Sequence, residues 1–554
     1  MRKILALLLC ALLVLGSFAG CAKEKEPYVP TGDALEDENA DLNETVPREE
    51  QDLTLVYNSD RSLHPYECTD YTNRTVLSLV YQSLFVVDDD YDVHPMLCKE
   101  YSVSDDLTTY TIYLQNATFS DGTPLTAAHV LESYNLAMDS DVYGARFHQV
   151  WDIEQTGNNA ITFHLNTPYE NFPILLDVPI IKAEAKPEPV RTDTDNEDED
   201  EDGDEETTEP TVPETTAATQ PEEEAGLPLG TGPYYFDETN AGMRLRRTVN
   251  WWCGADIPVN ASSVTLVEAG SPIDVRDAFQ FGDVGLVCAD PGSDSYADFR
   301  CDYELWDIES GIFLYIGFNM ESEFFQDQAL RSALTYAIDR ELLVEEYYRG
   351  YADAATLPAS PKSPYYDEAL ASQYTYDSDK FSQAVTKAGL QGKEIILLAN
   401  SSDSMRLRVA KEIEEMLEKC GLQVTIQEYD GDYASAIAYR GYDIYIAETR
   451  LSPNMDLTPF FYIYGSLSYG ALDNEAAYAY CLEALENQGN YYNLHKLVMD
   501  QGLLCPILFR NYAVYAIRGQ MTGLTPTRDN VFYYDLGTDL ADIQIYEDEE
   551  TTEE

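Results

Sequence analysis

The stretch from Lys393 to Asp456 constrains the fold more than any other part of the chain. "KEIILLAN" has the apolar, β-branched run of a buried strand. "SDSMRLRVAKEIEEMLEKCG" follows, with Met405, Val409, Ile413, Met416 and Leu417 on one helical face and Gly421 at the stop. "LQVTIQEY" is a second strand, "DYASAIAYRG" a short helix and "YDIYIAE" a third strand. Such βαβαβ units build parallel sheets with right-handed crossovers. In an open α/β sheet, ligands sit beyond the carboxyl ends of the strands. That rule places "ETRLSPNMD", Glu448 to Asp456, at a ligand crevice.

Other segments are simpler. Leu53, Leu55 and Tyr57 in "LTLVYNS", and Tyr110, Ile112 and Leu114 in "TTYTIYL", alternate as strands do. "DQALRSALTYAIDRELLVEEYYRG" changes to helical spacing through Leu330, Leu334, Ala337 and Ile338. A helix is expected there, capped by Asp327 and stopped by Gly350. No glycine-rich phosphate loop follows a strand. Gly230 and Gly232 in "GTGPYY" are too close together for a dinucleotide fingerprint, and Pro233 would block the helix start such a site needs.

A chain of 554 residues exceeds one ordinary core and implies two or three domains. The hydrophobic fraction of 44% and the 42 tyrosines argue for a folded body. The net charge of −66 would repel nucleic acid and anionic lipid, so no nucleic-acid partner is expected. Part of that charge lies in "TDTDNEDEDEDGDEETTEP", Thr192 to Pro210, and in the tail "YEDEETTEE". Asp198, Asp200, Asp202 and Asp204 around Gly203 fit a calcium loop only loosely. The Thr/Pro/Glu-rich composition cannot bury enough apolar area to offset ordering entropy. Residues 186–226 are therefore read as a disordered acidic insertion, and 543–554 as a disordered tail.

The start reads as a signal peptide over residues 1–20: basic "MRK", then the apolar "ILALLLCALLVLG", too short for a membrane span. Phe18-Ala19-Gly20-Cys21 resembles the lipobox of bacterial lipoproteins, which implies lipidation of Cys21 and anchoring at the extracytoplasmic face of the cell membrane. Residues 21–51 are polar and acidic and read as a disordered tether. Apart from Cys10 and Cys21, cysteines stand at 68, 98, 253, 288, 301, 420, 481 and 505. An even count in an exported protein permits disulfides, but spacing does not set their connectivity, and no spacing resembles a zinc site.

Several stretches, in order, resemble the extracellular solute-binding proteins of family 5, the receptors of peptide- and nickel-type ABC importers. They are "SLHPYE", the long run around "FSDGTPLTAAHV", "GTGPYYF", and "YIGFNM" followed by "LRSALTYAIDRELLV". The resemblance implies an α/β fold of the two-lobed periplasmic-binding-protein-like type (type II, large cluster with an extra subdomain), with mixed sheets flanked by helices and a hinge. Lobe I would comprise 52–65, 176–185, 227–308 and 504–542, with an insert subdomain at 66–175, and lobe II would comprise 309–503. It also implies a peptide or peptide-like solute, permease partners in the membrane, a monomer, no cofactor and no enzymatic activity. Asp121 and Gly122 in "SDGTPLT" read as a turn, with Thr126 capping the next helix, so Asp121 is structural. Asp339 and Arg340 read as helix-surface or scaffold residues.

Peptide-binding members carry a tryptophan and then an amine-binding aspartate after the strand equivalent to "YDIYIAE". Here Thr449 and Ser452 stand at those places. A serine hydroxyl cannot neutralise a buried ammonium. Arg450 could clamp a ligand carboxylate, or pair with Glu448 or Asp456 within the loop. Glu448 and Asp456 are alternative amine partners, and Asn454 belongs to the same candidate loop. Glu67, Thr69 and Tyr71 follow "SLHP" and would enter the cleft or serve as loop structure. The six histidines show no metal-ligand spacing, although a nickel- or haem-type ligand remains an alternative, as does a sensory receptor without transport. No nucleophile elbow, HExxH or Cys/His motif supports an enzyme.

Overall fold

The computed structural model describes residues 53–182, 226–239, 242–255, 257, 259, 261–268, 271–289, 299–469 and 474–517, with a strand pair at Thr525–Pro526 and Val531–Phe532. The signal peptide, Cys21, the 21–51 tether, the 543–554 tail and all but Gly226 of the acidic 186–226 segment lie outside these residues.

The βαβαβ unit forms as its periodicity predicts. Strands Glu394–Asn400, Gln423–Tyr429 and Ile444–Arg450 run parallel and alternate with helices Ser404–Lys419 and Tyr433–Tyr439. Met405, Val409, Ile413, Met416 and Leu417 are buried. They pack with Leu314, Ile316, Ile444 and Ile446 in one core. Asp403 caps the first helix by accepting from the Arg406 N–H at 2.9 Å.

These strands are one end of an 11-stranded sheet. Its middle is two long antiparallel strands, Tyr303–Phe318 and Cys505–Ile517. Residues 312–318 of the first pair with Ile444–Arg450. The opposite part of the second, 513–516, pairs with Leu286–Ala289, which leads to Leu53–Tyr57 and Ser263–Glu268. Between Glu309 and Ile312 the register shifts, and Gly311 there takes φ 70°, a left-handed conformation natural to glycine.

A separate antiparallel sheet, in the order Cys98–Val103, Thr109–Leu114, Ala160–Leu165, Val150–Gln155, carries helix Ala127–Met138 against it. The short sequence signatures build scaffold. Asp121 accepts from the N–H and hydroxyl of Thr123, each at 2.9 Å, and from Lys182 Nζ at 2.5 Å, and Gly122 makes the turn at φ 84°. Burial opposes ionisation of Asp121, but these donors outweigh it and hold its pKa at about 2. The Ser120 N–H donates to the Gly230 carbonyl at 3.0 Å, which joins two of the motifs. A Cβ on Gly230 would meet the Val80 carbonyl oxygen at 2.0 Å, and one on Gly232 the Leu79 oxygen at 2.6 Å. Close backbone approach is why both are glycine. Lys182 and Leu229, on either side of the acidic segment, exchange two backbone hydrogen bonds at 2.9 and 3.0 Å.

The expected helix from Asp327 to Gly350 is corrected to two. Helix Gln328–Leu334 runs into a 3₁₀ turn at Thr335–Ala337, Ile338 and Asp339 are extended, and helix Arg340–Tyr347 begins afresh with Asp339 as its cap. The break lets the buried Arg340 side chain donate to the carbonyls of Ala355 (3.0 Å), Pro506 (2.7 Å) and Thr335 (3.1 Å). Arg340 is thus a scaffold residue of the interior, not of the helix surface. The eight cysteines among the described residues are free thiols. Among the described residues no helix is long and apolar enough to cross a membrane.

Candidate functional site

Strand direction locates the crevice. Leu286–Ala289 and Leu53–Tyr57 run parallel, and Ala289 at the carboxyl end of the first lies opposite Ala513. Ile444–Arg450 runs the other way with respect to Tyr303–Phe318, and its last residue lies opposite Ile312, which itself faces Arg510. The carboxyl ends of the two parallel sets therefore point at each other across the short segment Arg510–Ala513, beside the register shift. This is where open α/β sheets bind ligands.

Arg450 and Arg510 flank Ile312 in one row of the sheet, so their side chains leave the same face. Glu448, two rows away on the same face, accepts from Arg510 Nη1 at 3.1 and 3.2 Å and lies 3.8 Å from Arg406 Nη2. Arg406 Nε also donates to Asp403 Oδ2 at 3.0 Å. Burial pushes the Asp403 carboxyl up, but the backbone N–H and guanidinium of Arg406 outweigh it and hold the pKa below the usual carboxylate range. Glu448 is thus committed to Arg510 and Arg406.

The loop after Arg450 is tightly organised. The Leu451 N–H donates to the Gly311 carbonyl at 3.0 Å, tying the loop to the register shift. Ser452 Oγ bonds Asn454 Oδ1 at 2.6 Å. Asn454 is buried, and its carbonyl accepts from the Tyr491 hydroxyl. Asp456 is 7% exposed. One oxygen accepts from the Thr458 N–H at 2.8 Å and the other from the Thr458 hydroxyl at 2.6 Å. His148 Nε2 lies 2.8 Å from that hydroxyl and 3.3 Å from Asp456 Oδ2. Burial, then the neighbouring phenols and Asp456, raise the pKa of Tyr169 and Tyr491 well above the ordinary value, so both stay neutral in this packing.

The other predicted residues divide. Glu67 and Thr69 are exposed, and Glu67 accepts from Ser62 Oγ at 3.0 Å. Tyr71 is buried and stacks on Tyr512 with ring centroids 3.9 Å apart and planes within 9°, which brings it against the Arg510–Ala513 segment. Asp70 caps helix Tyr71–Leu77, and the buried Asn73 amide donates to the carbonyls of Asn58 (2.9 Å) and Arg61 (3.2 Å), fixing the loop before it. Sequence reasoning missed Arg406, Arg510, Tyr512 and His148. Arg510 carried a signal: a cation inside the apolar strand "PILFRNYAVY" requires a partner. Among the described residues no group of three or more His, Cys, Asp or Glu side chains is placed to hold a metal ion.

The family model for "Bacterial extracellular solute-binding proteins, family 5 Middle" matches residues 92–471. The glutathione-binding protein GsiB of Escherichia coli O6:K15:H31 is 25% identical over 399 residues, covering 70% of this chain and 72% of that protein. The ABC transporter substrate-binding protein CtaP of Listeria monocytogenes superposes with a TM-score of 0.67 at 20% identity, covering 88% of this chain and 99% of that one. The oligopeptide-binding protein AppA of Bacillus subtilis, solved with a nonapeptide, gives a TM-score of 0.59 at 20% identity, covering 86% and 97%. The mixed α/β architecture is that of these periplasmic-binding-protein-like structures.

Proposed function

Since the chain belongs to the bacterial extracellular solute-binding proteins of family 5, we propose that it is the receptor of an ABC importer, capturing a peptide or peptide-like solute and delivering it to a membrane permease. One observation carries the reading: two sets of strand carboxyl ends converge on Arg510–Ala513, next to a register shift in the two strands that join them. A ligand lying there would touch both sides of the sheet. Lobe I is then 52–65, 176–185, 227–308 and 504–542 with its insert 66–175, lobe II is 309–503, and the shift at Glu309–Ile312 is the hinge. Ligand stabilises the closed form, which the permease recognises. Cys21, lipidated after removal of residues 1–20, ties the receptor to the outer face of the cell membrane. The reading gives the chain no catalytic step: the charged residues near the crevice are committed to one another and to backbone groups.

Native mass spectrometry of the purified receptor with a mixed pool of di- to nonapeptides tests this directly. One bound peptide per chain, with a matching rise in melting temperature, is the expected result. Binding of sugars or metal chelates in place of every peptide would sink the peptide assignment.

A further inference from the structure

We propose that the insert subdomain carries a latch, formed by His148 and the turn at Tyr169–Asn171, that holds the two lobes together through contacts between protein groups. The inference rests on the lobe division given above and specifies what secures the closed form. The insert is built firmly onto lobe I. The Ile180 N–H donates to the Gln82 carbonyl at 2.8 Å and the Gly232 N–H to the Val80 carbonyl at 2.9 Å. The Gln82 side-chain oxygen accepts from the Thr231 hydroxyl at 3.0 Å and from Trp252 Nε1 at 2.8 Å. The insert therefore moves with lobe I.

Its contacts with the body of lobe II come instead from turns. The Glu170 N–H donates to the Leu485 carbonyl at 3.0 Å, and the Glu170 carboxylate accepts from the Gln488 N–H at 3.0 Å. Asn171 Nδ2 donates to the Tyr365 hydroxyl at 3.3 Å, and His148 Nε2 lies 2.8 Å from the Thr458 hydroxyl. Tyr169 stands beside these bonds. Its N–H donates to the Leu107 carbonyl at 3.1 Å and its own carbonyl accepts from the Tyr110 hydroxyl, which fixes it to the insert sheet. Its buried ring joins the core that holds Tyr365 and Tyr491, whose rings lie 4.4 Å apart. Opening about the Glu309–Ile312 shift breaks these bonds and exposes these rings, so they favour the closed form whatever the solute. The apparent affinity for a solute falls with the share of receptor able to hold it. Residues of the latch thus tune affinity and residence time without touching the solute.

Single-molecule energy transfer on the full chain tests this, with dyes at the exposed Asp105 of the insert and Glu486 of lobe II. A click-reactive amino acid at each place leaves the cysteines unlabelled. The solute-free parent should show a high-transfer, closed population. Glu170→Ala with Asn171→Ala should lower the ratio of closed to open by about threefold or more and speed release of a bound peptide by a similar factor. Unchanged circular dichroism identifies variants that still fold. A second variant, Glu170→Cys with Gln488→Cys, should gather the molecules into the high-transfer state once oxidised, with the new disulfide mapped by mass spectrometry. Identical histograms for the parent and the alanine variant would overturn the proposal, as would a parent that is wholly open until solute is added. So would a folded cysteine variant in which the disulfide does not form. If no solute of any class binds, the receptor reading fails on its own and the histograms still decide the latch.

Discussion

His148 and Asp456 meet across a large gap in sequence, with Nε2 of one 3.3 Å from Oδ2 of the other. The imidazole comes from the turn before strand Val150–Gln155, and the carboxylate from the loop that follows the crevice strand. Thr458 bonds to both, at 2.8 Å to the imidazole and 2.6 Å to the carboxylate. Asp456→Asn should destabilise the protein by about 1–3 kcal/mol and His148→Ala by about 1 kcal/mol. A double-mutant cycle in urea should return a coupling of at least about 0.5 kcal/mol, and strict additivity would mean the contact is absent in solution.

Glu448 holds Arg510 at 3.1 Å and stands 3.8 Å from Arg406. Its neutral amide leaves two partly buried guanidiniums without their shared counter-charge. Glu448→Gln is expected to cost about 1–3 kcal/mol, less than for a fully buried pair because water still reaches the cluster. Arg510→Met should cost no more than this, since it removes a charge and fills its space with an apolar chain. Denaturant titrations that rank the two in the opposite order would refute this account.

His495 is fully buried, and neither ring nitrogen has a hydrogen-bond partner among the described residues. Burial lowers its pKa to about 3. Between that value and the ordinary 6.5, the unfolded chain binds a proton there that the folded chain does not, so stability rises with pH across this window and is lost as pH falls below about 6.5. One such group changes stability by up to about 1.4 kcal/mol per pH unit. His495→Leu should flatten the dependence between pH 6.5 and 5, and parallel slopes for variant and parent would show that the imidazole protonates in the folded state.

Lys182 and Leu229 are paired by two backbone hydrogen bonds, so the ends of the acidic excursion lie side by side. Replacing 186–226 by a short glycine-serine link should change stability by less than about 1 kcal/mol, because loop-closure entropy grows only with the logarithm of length. Ligand affinity should be unchanged. Gly230→Ala, a much smaller edit at the same base, should cost about 2–4 kcal/mol, because its Cβ meets the Val80 carbonyl at 2.0 Å. Melting curves of the two variants would reverse this order if the excursion were part of the core.

What could be read from sequence follows the range of the forces involved. The βαβαβ unit was legible because strand period, helix face and the glycine stop are local. The break at Ile338–Asp339 was not, since it serves the bonds of Arg340 to Ala355 and Pro506, the latter 166 positions away. Glu448 and Arg450 became candidates because a strand end points to a crevice, but Glu448's partner, Arg510, lies 62 positions on and is set by sheet register. Tyr71 was a candidate for the cleft or for loop structure, and nothing in the local sequence signalled that it would stack on Tyr512.

The long strands at the middle of the sheet also have a consequence for how the chain is made. Residues as far apart as Ser310 and Arg510, 200 positions, are neighbours there, and Leu286, paired with Leu55 on one edge, finds its partner on the other only at Ala516. Contacts of such separation form late and slowly, after much chain entropy has been surrendered. During synthesis the helices and hairpins can form early, but the central ladder stays unzipped until strand Cys505–Ile517 has emerged. A ribosome-bound or translocating chain therefore remains an open thread with a waiting edge at Leu286–Ala289, and a chaperone that shields that edge would guard it at its most aggregation-prone moment.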